Sequence, residues 1–243
     1  MPRLTRFIVL ALLTAGCQGK RNAPAADSGT AGPPCQPEAE HRGEATYYTF
    51  ANGTGNCSFD ATPNDPLVAA LNTTDYAGSS ACGACAEVAG PNGKVTVRIV
   101  DRCPGCARGH LDLSPGAFER IAERSAGRVP ISWRYVTCPV SGPLAYSFKE
   151  GSSPHWVGVQ VRNHRSRIAR FEYEKQGSFV PVKRESYNYF VEPDGMGPGP
   201  YTFRMTDVHG AVVIERGVPL RERGSTPGQE QFPACNPNGA PDR

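Results

Sequence analysis

The sequence predicts a mainly β protein with two compact domains, and three observations support this prediction. Glycine and proline are abundant, at 27 and 23 of 243 residues, which favours turn-rich β structure over long helices. Short segments with alternating apolar residues recur along the chain. Of the nine cysteines, all but Cys17 lie in or beside the two predicted domains, and such an even set is typical of an exported, disulfide-bonded fold.

Composition also excludes several classes of function. The chain carries 26 Lys and Arg against 23 Asp and Glu, a net charge of +3, so we expect no nucleic-acid partner. Hydrophobic residues make up 39% of the chain, which is enough for a packed core. No apolar run is long enough for a polytopic membrane protein.

The N-terminus has the features of an export signal. Two arginines precede the apolar residues 7–13, and the segment that ends at Cys17 resembles the lipobox of bacterial lipoproteins. We therefore expect a signal peptide over residues 1–16, a lipid on Cys17 and a flexible tether over residues 17–39. The only membrane contact expected is this lipid anchor, and an ordinary signal peptide is the alternative.

Cysteine spacing leaves three interpretations open: disulfides, a zinc site and a redox-active Cys-x2-Cys pair. Cys82 and Cys85, followed by Cys103 and Cys106, have the spacing of a zinc ribbon. Behind an export signal, disulfides are the favoured interpretation, and no metal is expected. Cys35 before the first domain and Cys235 after the second are expected to pair by elimination.

The first domain is expected over residues 40–141. Period-two alternation predicts strands over residues 95–101 and 131–138, with a tight turn at residues 92–93. Ser114 and Pro115 predict the start of a helix whose apolar face carries Phe118 and Ile121 and which ends at Gly127.

The second domain is expected over residues 142–234, with a short tail over residues 235–243. Strand-like segments separated by turn signals predict a small antiparallel β-sandwich. They span residues 144–148, 156–161, 168–173, 179–183, 201–205 and 212–215.

Two acidic residues in the first domain are candidates for chemistry. Asp101 ends a predicted strand and Asp112 precedes the predicted helix, positions at which carboxylates can border a groove. Two carboxylates are the usual minimum for glycoside hydrolysis, whereas the simpler alternative is that both only cap local structure. The neighbouring His110 is expected in a solvent-exposed loop rather than in catalysis.

Aromatic residues in the second domain are candidates for sugar binding. His155 and Trp156 follow a turn, and Tyr187 lies further along the chain. Exposed aromatic faces can stack on sugar rings, although a buried Trp in the core is the alternative.

Several blocks in order resemble the bacterial expansins over about residues 43–232. In the first domain they are residues 43–48, Asp101 and residues 107–115. In the second domain they are residues 149–153, 160–164, 187–188 and 204–207.

The resemblance implies a six-stranded double-psi β-barrel followed by an immunoglobulin-like β-sandwich. It implies non-hydrolytic loosening of cell-wall polysaccharide. We also expect a monomer without a cofactor. Thr46, Asp101 and Asp112 match the groove residues of the family, and Asp112 matches the essential one. Related inverting endoglucanases pair this acid with a base that expansins lack.

The resemblance also assigns Trp156, Tyr187 and Lys149 to a glycan-binding platform. His155 stands where relatives usually carry another aromatic residue, so weaker cellulose binding is expected. Cys103 stands where bacterial relatives often place a groove tyrosine.

The cysteines of the first domain resemble those of plant expansins. That pattern implies the pairs Cys57–Cys82 and Cys85–Cys138. Cys103–Cys106 then follows from closeness in sequence, and Cys35–Cys235 remains.

Two other functions stay open at this point. Residues 97–104 resemble a segment of peptidoglycan lytic transglycosylases of the rare-lipoprotein-A type, but the histidine of their Thr-Ala-Ala-His stretch is missing. A glycan-binding module with an idle groove is the third possibility. The target is expected to be cellulose, with xyloglucan, xylan or peptidoglycan as alternatives, and the protein either stays on the envelope or is released.

Overall fold

A computed structural model describes residues 38–49, 54–61, 67–221 and 224–234, and the fold is mainly β. The predicted signal peptide, the lipidation site Cys17, the pair Cys35–Cys235 and the tail lie outside the described residues. Glu38 falls in the predicted tether, and its carboxylate pairs with Arg167 of the second domain. None of the helices in the described part of the chain is long and apolar enough to cross a membrane.

The first domain is a closed six-stranded barrel with the strand order β1-β5-β2-β4-β3-β6. Its strands are β1 His41–Tyr47, β2 Val68–Asn72, β3 Cys85–Gly90, β4 Gly93–Cys103, β5 Leu111–Leu113 and β6 Val129–Val136. Strands β1 and β5 pair in parallel, as do β2 and β4. Sequence alternation predicts β4 and β6, but it misses β2 because all five of its residues are buried and the strand shows no polar face.

The predicted helix after Ser114 is shorter than expected. The Ser114 side chain caps it by accepting from the Ala117 N–H at 3.4 Å, but the helix α2 covers only Pro115–Phe118. A 3₁₀ turn over Arg124–Ala126 follows, and Gly127 ends it with a φ of +63°. The apolar face of the predicted helix is real, because Phe118 and Ile121 are buried in the barrel core. The other short helix, α1, spans Thr73–Tyr76.

The second domain is a sandwich of two antiparallel sheets, with the orders β10-β9-β13-β14 and β11-β12-β8-β7-β15. Its first strands are β7 Ala145–Phe148, β8 Val157–Arg162, β9 Ile168–Lys175, β10 Ser178–Pro181 and β11 Lys183–Arg184. The remaining strands are β12 Phe190–Glu192, β13 Tyr201–Asp207, β14 Val212–Val218 and β15 Ser225–Pro227. Every strand-like segment predicted from alternation overlaps one of these strands. Aromatic residues, among them Tyr146, Phe171 and Phe203, fill the space between the sheets.

Three disulfides lie in the described residues, and all match the pairs that the resemblance implies: Cys57–Cys82, Cys85–Cys138 and Cys103–Cys106. Cys82 and Cys85 bond to different partners, so the zinc-ribbon alternative has no free thiolates there. In the part of the chain that the structure describes, no cluster of His, Cys, Asp or Glu could hold a metal ion.

The barrel and the sandwich share a polar interface. The buried Gln160 side chain donates to the Cys57 carbonyl at 2.9 Å, and the Ser79 hydroxyl donates to the Glu185 carbonyl at 2.7 Å. His164 is buried in the same interface, and burial is the main reason that its pKa falls to about 4. The interface brings one side of the barrel against the segment that carries Tyr187.

Candidate functional site

Four residues form a row across neighbouring strands of the barrel. Thr46 in β1 lies opposite Asp112 in β5, Asp112 lies opposite Ala70 in β2, and Ala70 lies opposite Asp101 in β4. The three polar members are partly exposed, whereas Leu111 and Leu113, on either side of Asp112, are buried in the core. Since adjacent strands lie about 4.8 Å apart, the backbones of the two acids are separated by about 10 Å. The barrel thus brings the three predicted groove residues onto one face.

A β-bulge places Asp101 on this face. Ala69 is opposite Ile99, but Ala70 is opposite Asp101, so Val100 is an extra residue in β4. Without the bulge, Asp101 would lie opposite Leu71, which is fully buried. The prediction that Asp101 ends its strand is wrong, because β4 continues to Cys103. The prediction that Asp112 precedes a helix holds, but Asp112 itself is the centre of a three-residue strand.

Asp112 is the end of a hydrogen-bonded chain of three side chains. The Thr46 hydroxyl donates to the Asp112 carboxylate at 2.5 Å, and Thr46 Oγ1 lies 2.9 Å from His110 Nε2. A carboxylate only accepts hydrogen bonds, so the Thr46 hydroxyl donates its one hydrogen bond to Asp112. Thr46 Oγ1 therefore accepts a hydrogen bond from the Nε2–H of His110. The chain therefore runs from His110 through Thr46 to Asp112.

His110 is not in a solvent-exposed loop, which corrects the sequence-based expectation. Only 5% of its surface is exposed, and burial, followed by the positive charge of Arg128, lowers its pKa. A neutral imidazole can keep the Nε2–H that Thr46 needs. Its polar sequence neighbours suggest exposure, whereas Thr46 of β1, from a distant part of the chain, contacts its ring.

Asp101 differs from Asp112 in its partners. Its Oδ1 accepts two backbone N–H groups, from Asn56 at 2.6 Å and from Arg102 at 2.7 Å. Gly55 packs directly against it, because a Cβ at Gly55 would lie 2.5 Å from the Asp101 Cβ. Asp101 thus holds the segment around residues 55–56 against the barrel.

Tyr48 lies near Asp101 and Asp112 and was missed at the level of the sequence. Burial raises the pKa of its hydroxyl, and the nearby charges of Asp101 and Asp112 raise it further. Its N–H donates to the Leu113 carbonyl at 3.0 Å, which continues the pairing of β1 with β5. The available signal was its spacing of two residues from Thr46, which places both on one face of a strand.

In the sandwich, Trp156 lies across strand β8. Its ring approaches Gly158, where a Cβ would lie 3.0 Å from Trp156 Cη2 and 3.2 Å from Lys149 Cβ. Trp156 is partly exposed and is not part of the buried sandwich core, so the core alternative is wrong. The absence of a side chain at position 158 gives the indole room on the sheet.

Lys149 connects Trp156 with the other predicted platform residue, Tyr187. The Lys149 ammonium lies 6.0 Å from the ring centre of Tyr187 and 5.7 Å from that of Tyr189. Tyr187 is partly exposed, whereas Tyr189, which no sequence pattern marked as a site residue, is largely buried. His155 is exposed, beside Trp156. The structure therefore brings Lys149, Trp156 and Tyr187 into one region of the sandwich.

Comparisons with known proteins agree with this two-domain arrangement. A family model described as "Lytic transglycolase" matches residues 68–133, inside the barrel. Expansin-YoaJ from Bacillus subtilis is 37% identical over 239 residues, which cover 95% of this chain and 98% of the relative. Expansin-like protein 5 from Dictyostelium discoideum is 31% identical over 182 residues, which cover 70% of this chain and 75% of the relative.

Solved structures extend the comparison. The chain superimposes on apo expansin from Clavibacter michiganensis with a TM-score of 0.76 at 37% identity, covering 80% of this chain and 98% of that one. A mutant of the same protein in complex with cellohexaose gives a TM-score of 0.75 at 36% identity. These relatives share both domains, so the lytic transglycosylase alternative, which rests on the barrel alone, is not favoured. The chain belongs to the expansin family.

Proposed function

We propose that this protein loosens cell-wall polysaccharide networks without cleaving glycosidic bonds. Its platform of Trp156, Tyr187 and Lys149 binds a glucan chain, and its barrel groove disrupts hydrogen bonds between chains. The observation that carries the proposal is a difference between the two acids. Asp112 accepts a hydrogen bond from the Thr46 hydroxyl, whereas Asp101 Oδ1 accepts from two backbone N–H groups. Asp112 and Thr46 are the groups that exchange hydrogen bonds with sugar hydroxyls.

Hydrolysis would need a base that activates water. Inverting hydrolases place their two carboxyl groups about 6.5–9.5 Å apart, close to the separation of the strands that carry Asp101 and Asp112. Asp101 Oδ1, however, already accepts from Asn56 and Arg102. The distance between Asp101 and Asp112 therefore does not distinguish hydrolysis from non-hydrolytic loosening, and an assay for soluble products is the decisive test.

Cellulose is the proposed ligand of the platform. Stacked aromatic faces bind the C–H faces of β-linked glucose, and a related expansin is known in complex with cellohexaose. His155, in place of a larger aromatic residue such as Trp, shortens the platform, which supports weaker binding, by about 1 kcal/mol. Xyloglucan, xylan and peptidoglycan are the polymers against which cellulose should be compared.

As an expansin, the protein acts outside the cell that makes it. We propose that residues 1–16 are the signal peptide, that Cys17 carries the lipid, and that residues 17–39 tether a monomer to the envelope. The barrel domain is proposed over residues 40–141, the sandwich over 142–234 and the tail over 235–243. Labelling with a radioactive fatty acid, lost in Cys17→Ser, would test the anchor.

The test of function compares loosening with bond cleavage. The chain without its first 17 residues is incubated with filter paper and with peptidoglycan. Breaking force of the paper and released sugars or muropeptides are both measured. Asp112→Asn is the test variant, and Glu119→Gln is the matched control, since its carboxylate is half exposed and pairs with Arg124.

Weaker paper without soluble products, abolished in Asp112→Asn and kept in Glu119→Gln, is the expected result. Sustained release of fragments that depends on Asp112 would replace the proposal with an enzyme. Binding without either effect would leave a glycan-binding module with an idle groove.

A further inference from the structure

A cavity at the junction of the barrel and the sandwich is lined by three arginines. Its volume is about 550 Å³, within the range of small-molecule sites. Ala77, Gly78 and Ser80 line it from the barrel, and Arg167, Arg170 and Arg184 line it from the sandwich. None of these residues belongs to the groove or the platform, so the cavity is a separate feature.

Arg184 places an uncompensated positive charge in this cavity. Its guanidinium donates to the carbonyls of Ser79 at 3.2 Å and Ile168 at 2.9 Å and lies 4.6 Å from the ring centre of Phe190. Burial lowers its pKa to about 10, and the charge of Arg167 acts in the same direction. Within the described ranges, no carboxylate forms an ion pair with Arg184. A buried charge of this kind is stabilised by an anion.

The other two arginines have acidic partners, but donors are left over. Arg167 bonds to Glu38, and Arg170 bonds to Glu172 at 2.6 Å. The Arg167 Nε is buried and has no hydrogen-bond partner among the described residues. The residues that line the cavity thus include one arginine with an excess positive charge and a second with a buried, unused N–H donor.

Apolar side chains line the rest of the cavity. They include Ile168, Val182 and Val208, and Val208 is 37% exposed. A small inorganic anion would leave this surface uncovered. A sugar ring offers C–H groups to such a surface and, when it carries a carboxylate, an anion to the arginines.

We infer that this cavity is a second glycan site, which takes a carboxylate-bearing sugar and holds its carboxylate on Arg184. Two sources share this chemistry: hexuronate residues of acidic polysaccharides and the lactyl carboxylate of muramic acid in peptidoglycan. The inference does not depend on wall loosening, because neither the groove nor the platform contributes to the cavity.

The test uses isothermal titration calorimetry with four probes. Glucuronate and N-acetylmuramic acid represent the two sources, glucose is the neutral control, and sulfate is the plain anion. The chain without its first 17 residues should bind one of the carboxylated sugars and should bind glucose and sulfate at least about tenfold more weakly.

Variants locate the binding. Arg184→Met should weaken the binding of the carboxylated sugar at least about tenfold. Ala169→Trp fills the cavity from an exposed position and leaves Arg184 intact, so it decides the question if Arg184→Met does not fold. Arg216→Met, an exposed arginine on β14, is the matched control and should bind like the parent.

Three results would overturn the inference. The first is equal binding of sulfate and the carboxylated sugars, and the second is unchanged binding in Ala169→Trp. The third is loss of binding in Trp156→Ala, which would place the sugar on the platform. Failure of paper weakening would leave these titrations interpretable, so the two proposals fail separately.

Discussion

The side-chain amide of Asn56 donates a hydrogen bond to the carbonyl oxygen of Ser186 at 2.9 Å. The backbone N–H of the same Asn56 donates to Asp101 at 2.6 Å, and Ser186 directly precedes Tyr187. One residue therefore connects a carboxylate of the barrel groove with the loop that carries a platform residue of the sandwich. In the proposed function, this connection would fix the position of the proposed platform relative to the proposed groove.

Replacing Asn56 with alanine should separate loosening from binding. Asn56→Ala removes two side-chain bonds, to the Ser186 carbonyl and to the Tyr76 hydroxyl at 2.8 Å, and keeps the backbone bond to Asp101. Among the described residues, the Ser186 carbonyl then accepts only from the Tyr76 hydroxyl, at 2.9 Å. We expect paper weakening to fall about fivefold and adsorption to cellulose to stay within about twofold, because the platform itself is unchanged.

The matched control is Ser79→Ala, which removes another bond between the domains, from Ser79 Oγ to the Glu185 carbonyl at 2.7 Å. Each variant should lose about 1 kcal/mol of unfolding free energy for each hydrogen bond that it removes, measured by denaturant titration. Equal loosening in both variants would mean that Asn56 only stabilises the fold.

Removing the Thr46 hydroxyl should disable the groove. Thr46→Val keeps the shape of the side chain but leaves Asp112 without its donor and His110 without its acceptor. We expect at least about tenfold less paper weakening, since a charge-assisted hydrogen bond contributes about 1.5–3 kcal/mol. Thr96→Val, on an exposed position of β4, is the matched control. Full activity of Thr46→Val would show that the orientation of Asp112 does not matter.

The buried His164 should make the fold less stable in acid. Its pKa is about 4 in the folded protein against 6.5 in the unfolded chain, since burial and the charges of Arg184 and Arg98 oppose protonation. The unfolded state thus binds more protons between these values. The contribution of His164 to stability is fully present above pH 6.5. Between pH 6.5 and pH 4 the free energy of unfolding falls by about 3 kcal/mol, at about 1.4 kcal/mol for each pH unit.

Denaturant unfolding between pH 7 and pH 4 measures this effect. His164→Gln should remove most of the pH dependence, although its own stability at pH 7 is lower. His209→Gln, in the turn between β13 and β14, should keep it. The same slope in both variants would assign the acid sensitivity to other groups.

A side chain at position 158 should displace the platform tryptophan. In Gly158→Val the added Cβ would lie 3.0 Å from Trp156 Cη2, closer than packed atoms normally approach. We expect cellulose adsorption to weaken about fivefold, together with a shift in tryptophan fluorescence. Gly105→Val is the control, because a Cβ at Gly105 meets open space. Unchanged adsorption in Gly158→Val would exclude Trp156 from the binding surface.

Local sequence patterns were sufficient to predict the strands in which apolar and polar residues alternate. They were insufficient for the strands without this alternation. β4, β6 and the main sandwich strands have one buried and one exposed face, so their period of two is visible in the residues. β2 is buried throughout, and β5 has only three residues, so neither carries a period that can be read.

The candidate site shows the same division. The chemistry of Asp101, Asp112 and Trp156 follows from residue type and from the resemblance to expansins. The burial of His110 and the place of Tyr48 do not, because both depend on β1 lying beside β5, about 65 residues away in the chain.

Residue order alone therefore predicted an exported, mainly β, two-domain protein with paired cysteines and a set of candidate residues. The tertiary structure decided which of those residues lie next to one another. The bulge at Val100 turns Asp101 outward, strand pairing aligns Asp112 with Thr46, and contact between the domains joins Asn56 to Ser186. Each of these relationships joins distant parts of the chain, and such contacts are specified by packing of the whole fold rather than by any local pattern.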